Sequence, residues 1–161
     1  MGKNESQSHG ELKSYFAYGS NLSSAQMRDR VGEWKTARRA FLRGWKLVFN
    51  VKSPRWKGGA ANIVKSNQSE TVYGVIYRIT KAQLDTMTAY EKVSPQTIEV
   101  ESEGRKIKAE VYIFNKSKPE LEPASEYLDK VVEGLRNHGY GNGVVNSIIR
   151  KGKTNKPFMP P

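Results

Sequence analysis

Residues 71–79 restrict the possible fold more than any other part of this sequence. They read Thr-Val-Tyr-Gly-Val-Ile-Tyr-Arg-Ile and carry apolar side chains at both odd and even positions. Side chains along a strand alternate between the two faces of a sheet, so this strand has to be covered on both faces. The pattern therefore predicts a central strand. Thr80 and Gln83 follow with the spacing of a capping box, which predicts a helix directly after it.

The rest of the chain alternates between short strand and helix patterns. Alternation predicts strands at residues 14–18, 45–51, 60–65, 97–101 and 106–114, with a hairpin turn at residues 103–105. Apolar stripes predict helices at residues 22–31, after residue 80, from Pro123 through Leu135 and at 144–150. The first of these stripes places Arg28 and Arg30 on the outward side of its helix. Strands dominate, so the predicted class is α+β. A chain of 161 residues fits one domain, predicted at residues 14–152 between tails at 1–13 and 153–161.

The composition excludes several kinds of chemistry. The chain has no cysteine, which rules out disulfides, a cysteine nucleophile and cysteine-based metal sites. Its two histidines are His9 and His138, too few for a multi-histidine metal centre. Catalysis by this chain would therefore depend on carboxylate, hydroxyl and backbone groups.

The charge is strongly positive, with 27 Lys and Arg against 16 Asp and Glu and a net charge of +11. Such a field attracts nucleic acid, anionic membranes or acidic small molecules. The basic residues are scattered and lack interleaved aromatic residues, so we expect a solvated basic surface rather than a nucleic-acid site. No apolar run reaches the roughly 18–20 residues of a membrane span, and no apolar segment follows the first residues. We expect a cytoplasmic protein without a membrane partner.

Residues 15–22, with the sequence YFAYGSNL, form the first candidate site. Aromatic and small residues make a short buried strand, and Gly19-Ser20-Asn21 then turns the chain toward a helix. Such a junction leaves backbone N–H groups unpaired, and these can bind a carboxylate or an oxyanion. We call residues 18–21 the anion cradle. The alternative is a turn in which Ser20 or Asn21 only caps the helix.

Glu91 is the second candidate. It lies seven residues after Leu84 and four after Met87, so a helix would place this carboxylate on its apolar face. Burial there would raise the pKa of Glu91 toward the range that suits proton transfer. The alternative is that Glu91 lies past a frayed helix end and points into water or pairs with Lys92. Asp85 and Glu99 are more simply explained as a helix-dipole charge and a surface charge.

Five segments together resemble the γ-glutamylcyclotransferase family, the AIG2-like fold group. They are YFAYGSNL at residues 15–22, GGAANI at 58–63, VYGVIY at 72–77, the pair Tyr90-Glu91 and PASEY at 123–127. The resemblance implies a small mixed β-barrel of about five to seven strands, flanked by three or four helices, with the anion cradle at one mouth.

The resemblance also implies an activity that requires no cofactor and no metal. The α-amine of a γ-glutamyl substrate attacks its own γ-carbonyl, which gives 5-oxoproline and releases an amine or amino acid. Glu91 matches the family's catalytic acid and base, and Tyr127 its substrate-binding tyrosine. The implied substrate-binding residues are Tyr15, Phe16, Ala17, Tyr18, Gly19, Ser20, Asn21 and Tyr127. The expected partner is a small molecule, and the expected assembly is a monomer or a homodimer.

The residues after Glu91 depart from the family pattern. Members often continue with Gly and a segment bearing Gly or Tyr, whereas this chain continues Lys-Val-Ser-Pro-Gln at residues 92–96. The identity of the released group therefore stays open. Two alternatives remain: a non-catalytic basic module that binds an anionic ligand or RNA, and a cyclotransferase that removes a γ-glutamyl protecting group in a biosynthetic pathway.

Overall fold

The structure is a computed structural model that describes residues 11–52, 55–56, 58–115 and 119–154. Residues 1–10 and 155–161, which make up most of the two predicted tails, lie outside the described residues. So do residues 53, 54 and 57. They belong to residues 53–59, which Pro54 and the paired glycines Gly58 and Gly59 predict to be a loop.

Five strands close into a barrel in the order β1, β5, β2, β6, β7. Their bounds are β1 Leu12–Ala17, β2 Thr36–Arg43, β5 Thr71–Thr80, β6 Gln96–Ser102 and β7 Arg105–Val111. Neighbouring strands are antiparallel except β1 and β7, which meet in parallel at Tyr15 and Glu110. Strand β5 pairs with both β1 and β2, which confirms its prediction as a central strand.

A second sheet of two strands lies beside the barrel. It consists of β3 Trp45–Lys52 and β4 Gly59–Lys65, paired antiparallel with an irregularity between Phe49 and Val51. Gly44, at a φ of 83°, turns the chain from β2 into β3. The sequence predicts a strand only from residue 45, because β2 reads Thr-Ala-Arg-Arg-Ala-Phe-Leu-Arg and shows no regular alternation of apolar and polar residues.

In the part of the chain that the structure describes, four helices complete the fold: α1 Ser24–Val31, α2 Lys81–Glu91, α3 Ser125–Asn137 and α4 Asn142–Thr154. With the mixed barrel and the second sheet they confirm the predicted α+β class. The predicted capping box is present, because Thr80 accepts from the Gln83 N–H and the Gln83 side chain accepts from the Thr80 N–H. The predicted hairpin turn is also confirmed, since Glu103 and Gly104 join β6 to β7 at φ values of 52° and 78°.

Several predicted boundaries are wrong: the first strand is Leu12–Ala17 and not 14–18, and the last helix is Asn142–Thr154 and not 144–150. Three further differences have a visible structural reason. Helix α1 begins at Ser24 instead of residue 22, because residues Ser20–Leu22 form a separate 3₁₀ turn and Ser23 caps the helix. Pro123 precedes α3 instead of forming its first turn, because the Glu122 carbonyl is held by the Gly59 N–H at 3.1 Å. Strand β7 ends at Val111, and the Phe114 N–H donates to the Asn62 side chain rather than to a neighbouring strand.

Candidate active site

A cleft of about 720 Å³ opens where β1, the two-stranded sheet and the ends of α2 and α3 meet. Most of the predicted site residues line it, namely Tyr15, Phe16, Tyr18, Gly19, Ser20, Asn21, Glu91 and Tyr127. Ala17 does not line the cleft and is buried in the core. The structure therefore brings Glu91 and the anion cradle to one cavity, although they are far apart in the sequence.

The anion cradle is the entry to the 3₁₀ turn. The N–H groups of Leu22 and Ser23 donate to the carbonyls of Gly19 and Ser20, each at 3.0 Å. The N–H groups of Ser20 and Asn21 come first in the turn and have no acceptor within it. Ser20 does not cap α1, because its hydroxyl accepts from the Gln26 side chain at 2.7 Å. The cradle therefore places backbone donors at the wall of the cleft, where the Ser20 N–H faces the Tyr127 hydroxyl.

Tyr127 lies directly against the cradle. Its hydroxyl oxygen accepts from the Ala61 N–H at 2.8 Å, and the Ser20 N–H also faces it. An added Cβ at Gly19 would come within 2.8 Å of this oxygen, so only glycine leaves room for it. Burial raises the pKa of Tyr127 to about 12, and the nearby charge of Glu91 acts in the same direction. The hydroxyl therefore stays protonated and keeps its own hydrogen for donation.

Asn21 holds the cradle to its surroundings through its side chain. Its amide nitrogen donates to the Tyr15 hydroxyl at 2.8 Å, and its amide oxygen accepts from Gln26 and from Arg30, each at 3.0 Å. The Tyr77 hydroxyl donates to its backbone carbonyl at 2.9 Å. The side chain of Asn21 is thus used inside the protein, and its backbone N–H is the group that can face a ligand.

Glu91 is the last residue of α2 and lies on the same face as the buried Leu84 and Met87. Its side chain is 22% exposed. Burial raises its pKa, while the positive charges of Arg30 and Arg55 act in the opposite direction. Lys92 is the C-cap of α2, in the left-handed conformation at a φ of 63°, and Glu91 pairs with Arg30 rather than with Lys92. The structure therefore places Glu91 in a partly desolvated position.

Arg30 does not point outward as the stripe of α1 predicts. Its side chain is only 8% exposed and lies 3.8 Å from a Glu91 carboxylate oxygen. Its guanidinium also lies over the Tyr90 ring, 4.9 Å from the ring centroid. Burial lowers the pKa of Arg30, and Glu91 opposes this. A prediction from periodicity assumes that an arginine stays in water. Here the hydrogen bond to Asn21 and the pairing with Glu91 offset the cost of removing the Arg30 guanidinium from water.

Three further tyrosines surround the carboxylate. Burial raises the pKa of Tyr15 and of Tyr18 well above the usual value, and the charge of Glu91 adds to both shifts. Tyr112, which the sequence did not single out, lines the cleft and packs edge-to-face on Tyr15 at 5.5 Å. The backbone carbonyl of Tyr112 accepts from the Tyr18 hydroxyl. Phe16 is fully buried and packs against Tyr18, with ring centroids 6.4 Å apart.

The described ranges contain no group of three or more His, Cys, Asp or Glu residues that could hold a metal ion. Nor does any helix among the described residues have the length and apolar character to cross a membrane.

The two other acids considered in the sequence are exposed. Asp85 pairs with Lys81 at 3.1 Å with its side chain 65% exposed, and Glu99 is exposed on β6. Asp85 and Glu99 lie outside the cleft. Among the described residues that line the cleft, Glu91 is the one acid.

The architecture is that of a cyclotransferase fold. A solved structure described as a gamma-glutamyl cyclotransferase superposes with a TM-score of 0.78 at 24% identity, covering 86% of this chain and 87% of that one. At this identity the likeness concerns the fold alone.

The family follows from the sequence. The family model "Gamma-glutamyl cyclotransferase, AIG2-like" matches residues 15–130, and the chain belongs to this family. A gamma-glutamylcyclotransferase of Mus musculus is 31% identical over 142 residues, covering 81% of this chain and 73% of the relative. One of Bos taurus is 29% identical over 140 residues with the same coverage. These matches confirm both the resemblance and the prediction of an enzyme of the cyclotransferase class.

Proposed function

We propose that the chain catalyses γ-glutamyl cyclotransfer with Glu91 as general acid and base. The α-amine of the substrate attacks the γ-carbonyl carbon, the bond from that carbon to the γ-nitrogen breaks, and the products are 5-oxoproline and a free amine or amino acid. The α-ammonium loses two protons as its nitrogen becomes the lactam N–H, and the departing nitrogen gains two as it leaves as an ammonium group. The substrate supplies the nucleophile, so this scheme draws on no cofactor.

The observation that carries the proposal is the shared cleft of Glu91 and the anion cradle. A carboxylate whose pKa is raised by burial accepts a proton from an ammonium group and returns it to a leaving nitrogen more readily than an exposed one. Arg30 and Arg55 limit that rise, and their charges favour the ionised form in which Glu91 can act as a base.

The anion cradle supplies the second requirement, because the reaction develops negative charge on the γ-carbonyl oxygen. Backbone N–H groups fixed in a 3₁₀ turn need no reorganisation as that charge appears. The Tyr127 hydroxyl, which accepts from the Ala61 N–H, can add its own hydrogen as a donor. We assign the substrate's α-carboxylate and the oxyanion to these groups.

The third requirement is that the glutamyl chain is held folded, with its amine near its own carbonyl. Well-oriented intramolecular reactions reach effective molarities on the order of 10⁵ M or more. The rings of Tyr15, Tyr18 and Tyr127 line the cleft as rigid walls that can restrict the glutamyl chain in this way. Ala17 and Phe16 support these walls from the core.

Incubation of the purified chain with a panel of γ-glutamyl dipeptides and γ-glutamylamines tests the proposal. We expect 5-oxoproline and the released amine in equal amounts, detected by chromatography and mass spectrometry. Addition of a metal chelator should leave the rate unchanged. Failure to release 5-oxoproline from any member of the panel would refute the proposed reaction.

The basic charge motivates the alternative of a binding module for an anionic ligand or RNA. RNA affinity that falls steeply with salt, together with no turnover of the panel, would favour it.

We further propose that the protein is cytoplasmic and acts as a monomer or a homodimer. Cell fractionation and light scattering test these two points.

A further inference from the structure

Two side chains from distant segments hold the carbonyl end of the 3₁₀ turn. The Tyr77 hydroxyl lies 2.9 Å from the Asn21 carbonyl oxygen and 3.2 Å from the Leu22 carbonyl oxygen. The His138 Nε2 lies 3.2 Å from the Leu22 carbonyl oxygen and 3.1 Å from the Tyr77 hydroxyl. We call Tyr77 and His138 the turn clamp. Neither residue lines the cleft, so neither can contact a substrate there.

The two carbonyls determine which nitrogen of His138 carries the hydrogen. A phenol has a single hydroxyl hydrogen, and this hydrogen cannot serve both carbonyls fully. A bare Nε2 would accept from the Tyr77 hydroxyl and leave the buried Asn21 and Leu22 carbonyls without a donor among the described residues. With the hydrogen on Nε2, His138 donates to Leu22 while Tyr77 donates to Asn21. Burial lowers the pKa of His138, which favours this neutral form.

Both members of the turn clamp are fixed by the surrounding fold. Tyr77 is fully buried on β5, which pairs with β1 and β2, and the Trp34 ring packs edge-to-face on it at 4.9 Å. His138 is the C-cap of α3, and its N–H donates to the Gly134 carbonyl at 3.1 Å. Helix α3 also packs against Leu22 at this same glycine. The barrel and α3 therefore hold the turn from the side away from the cleft.

The turn clamp and the anion cradle act on opposite ends of one short turn. Within the turn, two backbone hydrogen bonds of 3.0 Å link residues 19 and 20 to residues 22 and 23. Fixing the carbonyls at the end therefore fixes the direction of the Ser20 and Asn21 N–H groups at the start. Donors at the carbonyl end also polarise the turn so that its N–H groups become more positive. Among the described residues no side chain caps the start of the turn, so its orientation depends on the clamp.

We propose that His138 and Tyr77 are positioning residues that hold the backbone donors of the anion cradle toward the developing oxyanion. The inference rests on the proposed cyclotransfer reaction and adds to it two residues that touch no reacting atom. The oxyanion forms only in the transition state, so loss of the clamp should lower kcat and kcat/KM together. A clamp that serves folding alone would affect stability and leave the kcat of the folded protein unchanged.

The test compares three substitutions at residue 138. In glutamine the amide nitrogen lies three bonds from Cβ, as Nε2 does in histidine, so His138→Gln can keep the hydrogen bond to the Leu22 carbonyl. The amide nitrogen of His138→Asn is one bond closer to Cβ and falls short of that carbonyl, and His138→Leu has no donor. We expect a loss of about tenfold to a hundredfold in kcat for His138→Asn and His138→Leu, and a kcat close to that of the wild type for His138→Gln.

A second measurement follows the turn without any substrate. Hydrogen exchange of residues 19–23, followed by mass spectrometry, reports how often the turn opens. Exchange should be faster in His138→Leu and in Tyr77→Phe, and unchanged in His138→Gln. Tyr73→Phe is the matched control, because Tyr73 lies on the same strand but outside the cleft and the clamp. Thermal unfolding shows that each variant is folded in the assay, and Tyr77→Phe provides the same kinetic test if His138→Leu does not fold.

The results separate the clamp from the reaction. A kcat equal to that of an active wild type in folded His138→Leu and Tyr77→Phe overturns the proposal and leaves the cyclotransfer reaction intact. Equal losses of kcat in His138→Gln and His138→Leu also overturn it, because the hydrogen bond would then have no role. A change in KM alone overturns it too, since the clamp would then act only on substrate binding. If the wild type forms no 5-oxoproline, the reaction itself fails, while hydrogen exchange still shows whether the clamp holds the turn.

Discussion

Arg30 connects the two halves of the active site: its guanidinium lies 3.8 Å from the Glu91 carboxylate and donates to the Asn21 side chain at 3.0 Å. One side chain of α1 thus contacts both the proposed acid and base at the end of α2 and the anion cradle. The position of Arg30 explains how Glu91 and the anion cradle can stay at a fixed distance from each other. It also provides the positive charge that opposes the effect of burial on Glu91.

We expect the acid limb of the kcat/KM profile to lie above the ordinary range of a glutamate, because burial raises the pKa of Glu91 and only the ionised carboxylate can accept a proton. In Arg30→Gln the opposing positive charge is lost and the pKa of Glu91 rises further. The acid limb should therefore move to higher pH. A pH–rate profile of both proteins measures this shift.

Arg28→Gln is the matched control for this experiment. Arg28 lies on the same helix but is exposed, where it pairs with Glu33 at 2.9 Å. Its removal should leave the acid limb in place. An acid limb that is the same in Arg30→Gln and in the wild type would contradict the role given to Arg30.

Gly19→Ala should disable the anion cradle without unfolding the barrel. The new Cβ would come within 2.8 Å of the Tyr127 oxygen and 3.3 Å of the Ala61 Cβ, so Tyr127 has to move away from its backbone partners. Loss of one oxyanion donor typically costs about a hundredfold in kcat. Gly141→Ala is the control, because a Cβ there meets nothing within 4 Å. Equal rates for these two variants would argue against the cradle.

Tyr127→Phe should lower activity, whereas Tyr140→Phe should lower only stability. Both hydroxyls bond to buried backbone groups, Tyr127 to the Ala61 N–H and Tyr140 to the carbonyls of Ala40 and Gly74. We expect each variant to lose about 1–2 kcal/mol of unfolding free energy in denaturant titrations. Only Tyr127 lines the cleft, so only its variant should show a lower kcat/KM. A comparable loss of activity in Tyr140→Phe would show that the effect is structural.

Gly134→Ala should destabilise the fold, because α3 packs against the 3₁₀ turn through this glycine. An added Cβ would lie 2.1 Å from the Leu22 carbonyl carbon, so helix and turn have to separate. We expect a loss of about 2 kcal/mol or more in denaturant unfolding. Gly143→Ala, in the open first turn of α4, should cause no loss. Unchanged stability of Gly134→Ala would mean that the turn is not fixed by α3.

The features that the sequence predicted correctly depend on neighbours along the chain. The capping box of Thr80 and Gln83 and the turn at Glu103 and Gly104 are each set within four residues, so their patterns are visible in the sequence. The apolar side chains at both odd and even positions of β5 likewise identify a strand that is covered on both faces. The turn between β1 and α1 was found because the composition of the sequence changes at both of its ends.

The features that the sequence missed depend on contacts between distant segments. Arg30 was assigned to the solvent side of α1, because periodicity cannot show that Glu91 and Asn21 would lie within its reach. Asn50 lines the cleft at a bulge whose position is set by the pairing of β3 with β4, and no local pattern marks it. Arg55 follows β3 and Tyr112 follows β7, and the cleft brings these two distant segments together.

The most direct test of the account is the rate of 5-oxoproline formation by Glu91→Gln beside the wild type and Glu99→Gln. Glutamine retains the shape of Glu91 but cannot take up or return the proton, so we expect a loss of about a hundredfold to ten-thousandfold in kcat. Glu99 is exposed and outside the cleft, and its variant should match the wild type. Activity of Glu91→Gln equal to that of an active wild type would contradict the central claim.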